Sequence, residues 1–149
     1  GQLREWDEKR QQDWDILKYP GHDAFYRFMK DLNELYGASP AFWQKDYDRD
    51  GFRWLDCHQE SRCIYAFERR GQKQRIAAVF NFSDQVQKDY ELKVPGARGL
   101  TLLLDTDRDI YGGAAMGQDK KITLKTGAAG EVKLTLPPFS GRCYAVEGS

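Results

Sequence analysis

The sequence predicts a mainly β protein, an eight-strand antiparallel β-sandwich preceded by one helix. Two changes in the spacing of apolar residues carry this prediction. Between residues 22 and 36 they recur every three to four positions, as on one face of an α-helix. From about residue 51 onward they alternate with polar residues in short runs that turn residues separate. Short alternating runs without intervening helices are typical of antiparallel sandwiches and barrels.

The helix is predicted from His22 to Tyr36. Pro20-Gly21 breaks the chain before it, Asp23 suits its positive N-terminal end, and Gly37 is expected just after its last residue. Its apolar face consists of Phe25, Phe28, Met29, Leu32, Leu35 and Tyr36. The pair Ser39-Pro40 predicts a second, short helix over residues 39–44.

Eight segments are predicted as strands, and together they form a sandwich domain over residues 51–149. They are 52–56, 62–68, 75–82, 90–94, 100–104, 121–125, 132–136 and 142–146. In the third segment one face carries Ile76, Ala78, Phe80 and Phe82. We expect Trp54, which lies inside the first segment, to be part of the core. Trp43 is expected to attach the short helix to the sandwich.

Composition excludes several classes of function. The 149 residues include 23 basic and 23 acidic side chains, so the formal net charge is zero and a nucleic-acid partner is not expected. No segment approaches the roughly 20 apolar residues of a membrane helix, so no membrane partner is expected. An odd number of cysteines, three, favours free thiols in the cytoplasm. The chain does not begin with Met, and we expect it to be a piece of a longer protein.

Two groups of residues resemble metal ligands in their spacing. Asp46, Asp48 and Asp50, followed by Gly51, match the start of a calcium loop, but its twelfth position is Cys57 and a strand follows. We therefore favour a polar turn. Cys57, His58 and Cys63 do not have the spacing of paired zinc ligands. No metal and no cofactor are predicted.

The tryptophans are candidate sugar contacts, because a large apolar ring with a polar edge stacks well on a pyranose. Trp6 and Trp14 lie in a segment without helical or strand periodicity, where an exposed ring is explained by a ligand or a neighbouring domain. Packing in a core or an interface is the favoured alternative for both.

Several motifs, in order, resemble the C-terminal part of bacterial 1,4-α-glucan branching enzymes, which belong to the α-amylase clan. The first half of the resemblance rests on Gly1 to Trp6, Asp13 to Leu17, Tyr19-Pro20 with His22, and Asp31 to Tyr36. The second half rests on Gly51 to Asp56, Asn81 to Ser83, Asp105-Thr106, Tyr111 to Gly113, and Leu134 to Pro138. The resemblance implies that residues 1–50 are the end of the catalytic barrel and that residues 51–149 are the all-β C-terminal domain.

The resemblance also implies what this chain lacks. Branching enzymes cleave an α-1,4 glucan and transfer the chain to a 6-hydroxyl with retention, which requires two carboxyl groups about 5 Å apart. In the family these groups precede the position that matches Gly1, so no catalytic residue is assigned here. The expected partners are the barrel and, through the parent enzyme, an α-glucan. Trp6 and Trp14 are the candidate glucan contacts, and Arg142-Cys143-Tyr144 departs from the usually more aliphatic last strand.

The helix has a consequence of its own if it is separated from the barrel. Its apolar face would then expose several large side chains, so we expect it to fold onto the sandwich or to bury itself against a second copy.

Two alternatives remain open. The first is a stand-alone glucan-binding sandwich, which needs an exposed aromatic platform. The second is the C-terminal domain of another member of the clan, such as a debranching enzyme or a trehalose-releasing hydrolase.

Overall fold

The computed structural model describes residues 5, 7–116 and 123–148. A 3₁₀ turn, Trp14–Lys18, leads into helix α1, Pro20–Ala38, and a second 3₁₀ turn, Pro40–Phe42, follows it. The described ranges then contain eight strands: β1 Phe52–Gln59, β2 Ile64–Arg70, β3 Arg75–Asn81, β4 Gln87–Lys93, β5 Gly99–Asp105, β6 Thr123–Lys125, β7 Glu131–Leu136 and β8 Ser140–Glu147.

The strands form two antiparallel sheets of unequal size. Six strands pair in the order β1-β2-β3-β8-β5-β6, and β4 pairs with β7 in a small second sheet. The predicted fold class, an antiparallel sandwich with an N-terminal helix, is confirmed. At the edge of the large sheet, β1 pairs with β2 through two register shifts, between Trp54 and Asp56 and between Asp56 and Gln59.

The hydrophobic core draws side chains from both sheets. Its largest members include Ile64, Val79, Tyr90, Leu92, Leu100, Leu134, Leu136 and Tyr144. Strand β3 contributes Ala77 and Val79 to this core. Its other face, with Ile76, Ala78 and Phe80, therefore lies on the outside of the large sheet, where the Pro40–Phe42 turn approaches β3. Ile76 and Ala78 are nevertheless buried, so β3 is apolar on both faces.

The termination of α1 differs from the prediction. Gly37 lies inside the helix, and Ser39 is the C-cap, its N–H bonded to the carbonyl of Tyr36. Pro20 occupies the first turn, where its missing N–H costs no hydrogen bond. In place of a short helix over 39–44 the chain forms the Pro40–Phe42 turn.

The predictions that Trp54 is a core residue and that Trp43 attaches the short helix to the sandwich are both wrong. Trp54 is 51% exposed because its position on β1 faces outward, on the same side as Phe67 of β2. Trp43 is also exposed, and its Nε1 donates to the carbonyl of Tyr36 at 3.1 Å. It therefore fastens the 3₁₀ turn to the end of α1.

The last strand departs from an aliphatic pattern because it carries a buried ion pair. Arg142 Nε donates to Asp105 Oδ2 at 2.9 Å, and the two side chains are 2% and 3% exposed. Arg142 Nη1 also donates to the carbonyl of Thr135 at 3.1 Å, which links the two sheets. Burial acts to lower the pKa of Arg142, but Tyr144 and Asp105 act to raise it, and the net shift is upward.

No helix in the described ranges has the length and apolar character that crossing a membrane requires.

Replacing Arg142 by Met is expected to lower the free energy of unfolding by about 3–5 kcal/mol, because Asp105 is left as a buried charge without its partner. Urea unfolding measures the loss. Arg27→Gln breaks the exposed Arg27–Asp23 pair on α1 and serves as control, with an expected loss below about 1 kcal/mol. Equal losses for the two variants would contradict the structural importance of the buried pair.

Candidate functional site

The outer surface of the large sheet carries a continuous row of aromatic rings, which we call the aromatic face. It consists of Phe52, Trp54, Phe67, Phe80 and Phe82. Ring centroids along the row are 5.3 Å apart for Phe52–Phe67 and 5.8 Å apart for both Phe67–Phe80 and Phe80–Phe82. Trp54 packs edge-on against Phe52 at 5.1 Å. Phe52, Trp54 and Phe82 are exposed, so the row forms an apolar patch on the surface.

The neighbouring strand leaves space for this row through a glycine. Gly141 of β8 lies opposite Phe80 of β3. A Cβ atom at Gly141 would come within 2.7–2.8 Å of two carbons of the Phe80 ring. The ring therefore lies directly over the β8 backbone, and a larger residue at Gly141 would displace it.

A groove of about 510 Å³ lies where the aromatic face meets α1. Phe25 and Phe28 of α1 line one side, and Phe80, Phe82 and Phe139 line the sheet side. Phe25 is 63% exposed and Phe139 is exposed as well. The apolar surface of the sheet and that of the helix are therefore continuous.

A tyrosine holds α1 on the sandwich. The Tyr111 hydroxyl donates to Asp31 Oδ2 at 2.5 Å, and its ring meets Phe28 edge-on at 5.6 Å. Burial and the Asp31 carboxylate raise the pKa of Tyr111 to about 12. The neutral phenol therefore favours the docked helix, and this contribution is lost as the pH rises from about 10 to about 12. Of the two outcomes expected for the helix, docking on the sandwich is the one that the structure shows. Phe25, Tyr26 and Met29 of the helix nevertheless remain exposed.

The two candidate glucan residues lie in the N-terminal segment. Trp6 is outside the described residues. Trp14 begins the 3₁₀ turn that leads into α1, and it is 65% exposed. Its ring is open to a ligand or to another domain.

One of the three carboxylates that resembled a calcium loop has a cationic protein partner. Asp46 pairs with Arg69, whose Nη2 also donates to the carbonyl of Phe42 at 2.8 Å. Two other aspartates also have protein partners: Asp105 accepts from Arg142, and Asp107 accepts from the N–H groups of Ala114 and Met116. In the part of the chain that the structure describes, no three His, Cys, Asp or Glu side chains are grouped to hold a metal.

One of the cysteines contacts a histidine. Cys57 Sγ lies 3.6 Å from Nε2 of its neighbour His58 in an exposed position. All three cysteines, which fall within the described ranges, are outside disulfides. Burial raises the pKa of Cys143 to about 11, so its thiol stays protonated at neutral pH.

Comparison with known proteins agrees with this architecture. The family model described as "Alpha amylase, C-terminal all-beta domain" matches residues 54–147, which include all eight strands at least in part. The chain belongs to the α-amylase C-terminal all-β domain family. Solved structures of trehalulose synthase MutB share the fold of this domain. One MutB double mutant superposes with a TM-score of 0.54 at 19% identity, covering 84% of this chain and 19% of that one.

The curated relatives of this α-amylase C-terminal domain chain are branching enzymes. It is 33% identical to the 1,4-alpha-glucan branching enzyme GlgB of Nitratidesulfovibrio vulgaris strain DP4, over 97% of this chain and 23% of the relative. The corresponding GlgB of Leifsonia xyli is 37% identical over 93% of this chain and 20% of the relative. That of Novosphingobium aromaticivorans is 35% identical over 99% and 20%. The chain thus spans about a fifth of the length of these relatives.

The sequence interpretation missed the aromatic face. Its signal was present as aromatic residues two positions apart, Phe52 with Trp54 and Phe80 with Phe82. Residues two apart share a face of a strand. The pattern could not tell which of the two faces points inward.

Replacing Tyr111 by Phe is expected to weaken the docking of α1 by about 1 kcal/mol, the usual value of one hydrogen bond. Hydrogen exchange of the α1 amides should accelerate roughly fivefold while the amides of the large sheet keep their rates. Tyr47→Phe, at a fully exposed tyrosine, is the matched control. Unchanged α1 exchange in Tyr111→Phe would show that other contacts hold the helix.

Proposed function

We propose that this chain is the C-terminal, non-catalytic part of a bacterial 1,4-α-glucan branching enzyme. In this proposal residues 1–50 complete the catalytic barrel and residues 51–149 form the domain that supports it. The parent enzyme cleaves α-1,4 glucan and transfers the chain to a 6-hydroxyl, forming α-1,6 branches of glycogen. The observation that carries the proposed role is the exposed aromatic face, which is continuous with α1.

The chemistry of the aromatic face favours a protein partner over a sugar. Four of its five rings are phenylalanines, which have no polar atom to bond a hydroxyl group, whereas sugar sites combine rings with placed polar groups. Burying a large apolar side chain contributes about 1.5–3 kcal/mol. Several such rings on one surface are therefore expected to drive docking of the barrel.

The roles of the buried acidic side chains support a non-catalytic domain. A retaining transfer needs one carboxylate nucleophile and one carboxylic acid facing a substrate cleft. Asp105 is instead paired with Arg142, and Glu68, which is fully buried, holds Arg70 and Arg75. These carboxylates stabilise the domain and are not available to a glucan.

The glucan contact of the parent belongs to the N-terminal segment in this proposal. Trp14 and Trp6 border the glucan on the barrel side, and the exposed ring of Trp14 is compatible with stacking on a sugar. The thiol state of all three cysteines, each within the described ranges, supports a cytoplasmic location. Without the barrel, the exposed residues of α1 and the aromatic face favour association of two copies.

A stand-alone glucan-binding module is the second candidate, and the exposure of Trp54 favours it. In that case soluble glucan quenches tryptophan fluorescence of the isolated chain, and Trp54→Ser removes the quenching. The supporting-domain role predicts no effect of glucan on Trp54.

Docking is tested by expressing the preceding part of the parent enzyme separately and mixing it with this chain. Branching of amylose, followed by the iodine colour, is expected from the mixture and not from this chain alone. Phe82→Ser and Trp54→Ser are expected to weaken the complex at least tenfold, since each removes an apolar contact worth more than about 1.4 kcal/mol.

Tyr47→Ser is the control for these variants, because Tyr47 is fully exposed outside the aromatic face. Equal binding of all three variants would refute the aromatic face as the docking surface. Light scattering of the isolated chain reports association of copies, which Phe82→Ser is expected to reduce. Branching by this chain alone would refute its non-catalytic role.

The glucan contact is tested in the complete enzyme. Trp14→Ala is expected to raise KM for amylose several-fold with little change in the unfolding temperature, because one stacking contact is worth about 1–2 kcal/mol. Trp43→Ala, an exposed tryptophan bonded to the end of α1, serves as the matched control. A Trp14→Ala enzyme with an unchanged KM would exclude this residue from the glucan path.

A further inference from the structure

A basic pocket lies at one end of the sandwich, and its lining includes no residue of the aromatic face. It has a volume of about 680 Å³ and is bounded by the β2–β3 turn, by Pro95 after β4 and by the C-terminal Val146 and Gly148. Its charged lining consists of Lys45, Arg70, Lys73, Arg75 and Asp50. Pockets of this size accommodate small molecules.

A buried carboxylate fixes two of the four cations. Glu68 is fully buried, and its Oε2 accepts a hydrogen bond from Arg70 Nε at 2.7 Å. Its Oε1 accepts one from Arg75 Nε at 2.6 Å, and Arg75 Nη2 also donates to the carbonyl of Pro95 at 2.7 Å. Glu68 therefore orients both guanidinium groups before any ligand arrives.

The charges of the pocket do not balance. Four cationic side chains face two carboxylates, Asp50 and the buried Glu68, so the group carries two positive charges in excess. Within the described part of the chain, Nη1 of Arg70 and Nη1 of Arg75 donate to no protein atom. Donors and net charge thus remain for an anion.

The wall that carries Lys73 is held rigidly. Gly71 N donates to the carbonyl of Gln74 at 2.8 Å, which closes the β2–β3 turn. Two side-chain amides then fasten this turn to residues 41–44, which follow α1. Gln74 Oε1 accepts from Ala41 N at 3.1 Å, and Gln44 Oε1 accepts from Gln72 N at 2.9 Å. A preorganised wall reduces the entropy that a ligand must otherwise remove on binding.

We infer that the basic pocket binds a phosphoryl group, as free phosphate or as the phosphate monoester of a small sugar. Guanidinium groups bind phosphate oxygens in pairs, and two excess positive charges match a phosphate dianion. A neutral glucan does not use this charge. A nucleic acid requires an extended basic surface, whereas these cations are grouped in a local pocket of a chain whose net charge is zero.

The test follows the backbone amides of residues 70–75 by NMR during titration of the chain with inorganic phosphate, with a hexose 6-phosphate and with the neutral hexose. Sodium chloride at equal ionic strength controls for screening. Saturable shifts with both phosphate compounds, and none with the hexose or with chloride, are expected. Tighter binding of the ester identifies the sugar phosphate as the ligand, and equal binding identifies free phosphate.

Variants separate a specific site from general attraction. Lys73→Gln, on the exposed turn, is expected to raise Kd for phosphate about fivefold, and Arg70→Gln about tenfold. Lys133→Gln removes an exposed lysine of β7 outside the pocket and is expected to leave Kd unchanged. Shifts that chloride reproduces, or that Lys73→Gln and Lys133→Gln weaken equally, would overturn the inference.

Discussion

The six-stranded sheet carries apolar side chains on both faces, and the rest of the structure depends on how each face is covered. The inner face packs against the two-stranded sheet, which supplies Tyr90, Leu92, Leu134 and Leu136 to the core. The two strands of the small sheet are too few to cover the whole inner face of the six-stranded sheet. The Arg142–Asp105 pair and the bond from Arg142 to Thr135 fasten the small sheet to the large one. On the outer face, α1 and the turn after it cover only part of the apolar surface, and the aromatic face remains.

Local patterns in the sequence were sufficient to predict the helix and the strands, but not to predict which face of a strand points into the core. The helical period located α1, and the period of two located the strands that the structure describes, because both depend on residues close together in the chain. Residues 121 and 122 of the predicted sixth segment lie outside the described residues. The side of β3 that faces the core was not predictable in this way. Ile76 and Ala78 are as apolar as Ala77 and Val79, so alternation gives no preference between the faces. The same ambiguity made Trp54 a core residue in the prediction.

Long-range pairs account for the other features that the sequence did not predict. Tyr111 and Asp31 are 80 positions apart, and Arg142 and Asp105 are 37 apart, so no short motif identifies either pair. Asp46 resembled a calcium ligand by spacing, and only the folded chain brings Arg69 to it. Of the two candidate glucan residues, Trp14 has the exposed ring that a glucan contact requires. The family was indicated by a different part of the sequence, the ordered motifs that resemble branching enzymes.

The irregular pairing of β1 has a consequence for the edge of the large sheet. A regular edge strand presents an even row of N–H and carbonyl groups to which any extended chain can add. The two register shifts in β1 make that row uneven at this edge of the large sheet. The β1 edge is therefore a poorer template for strand addition than a regular edge strand. The broad surface of the large sheet, where side-chain shape and not backbone pairing selects a partner, is then the more favourable place for recognition.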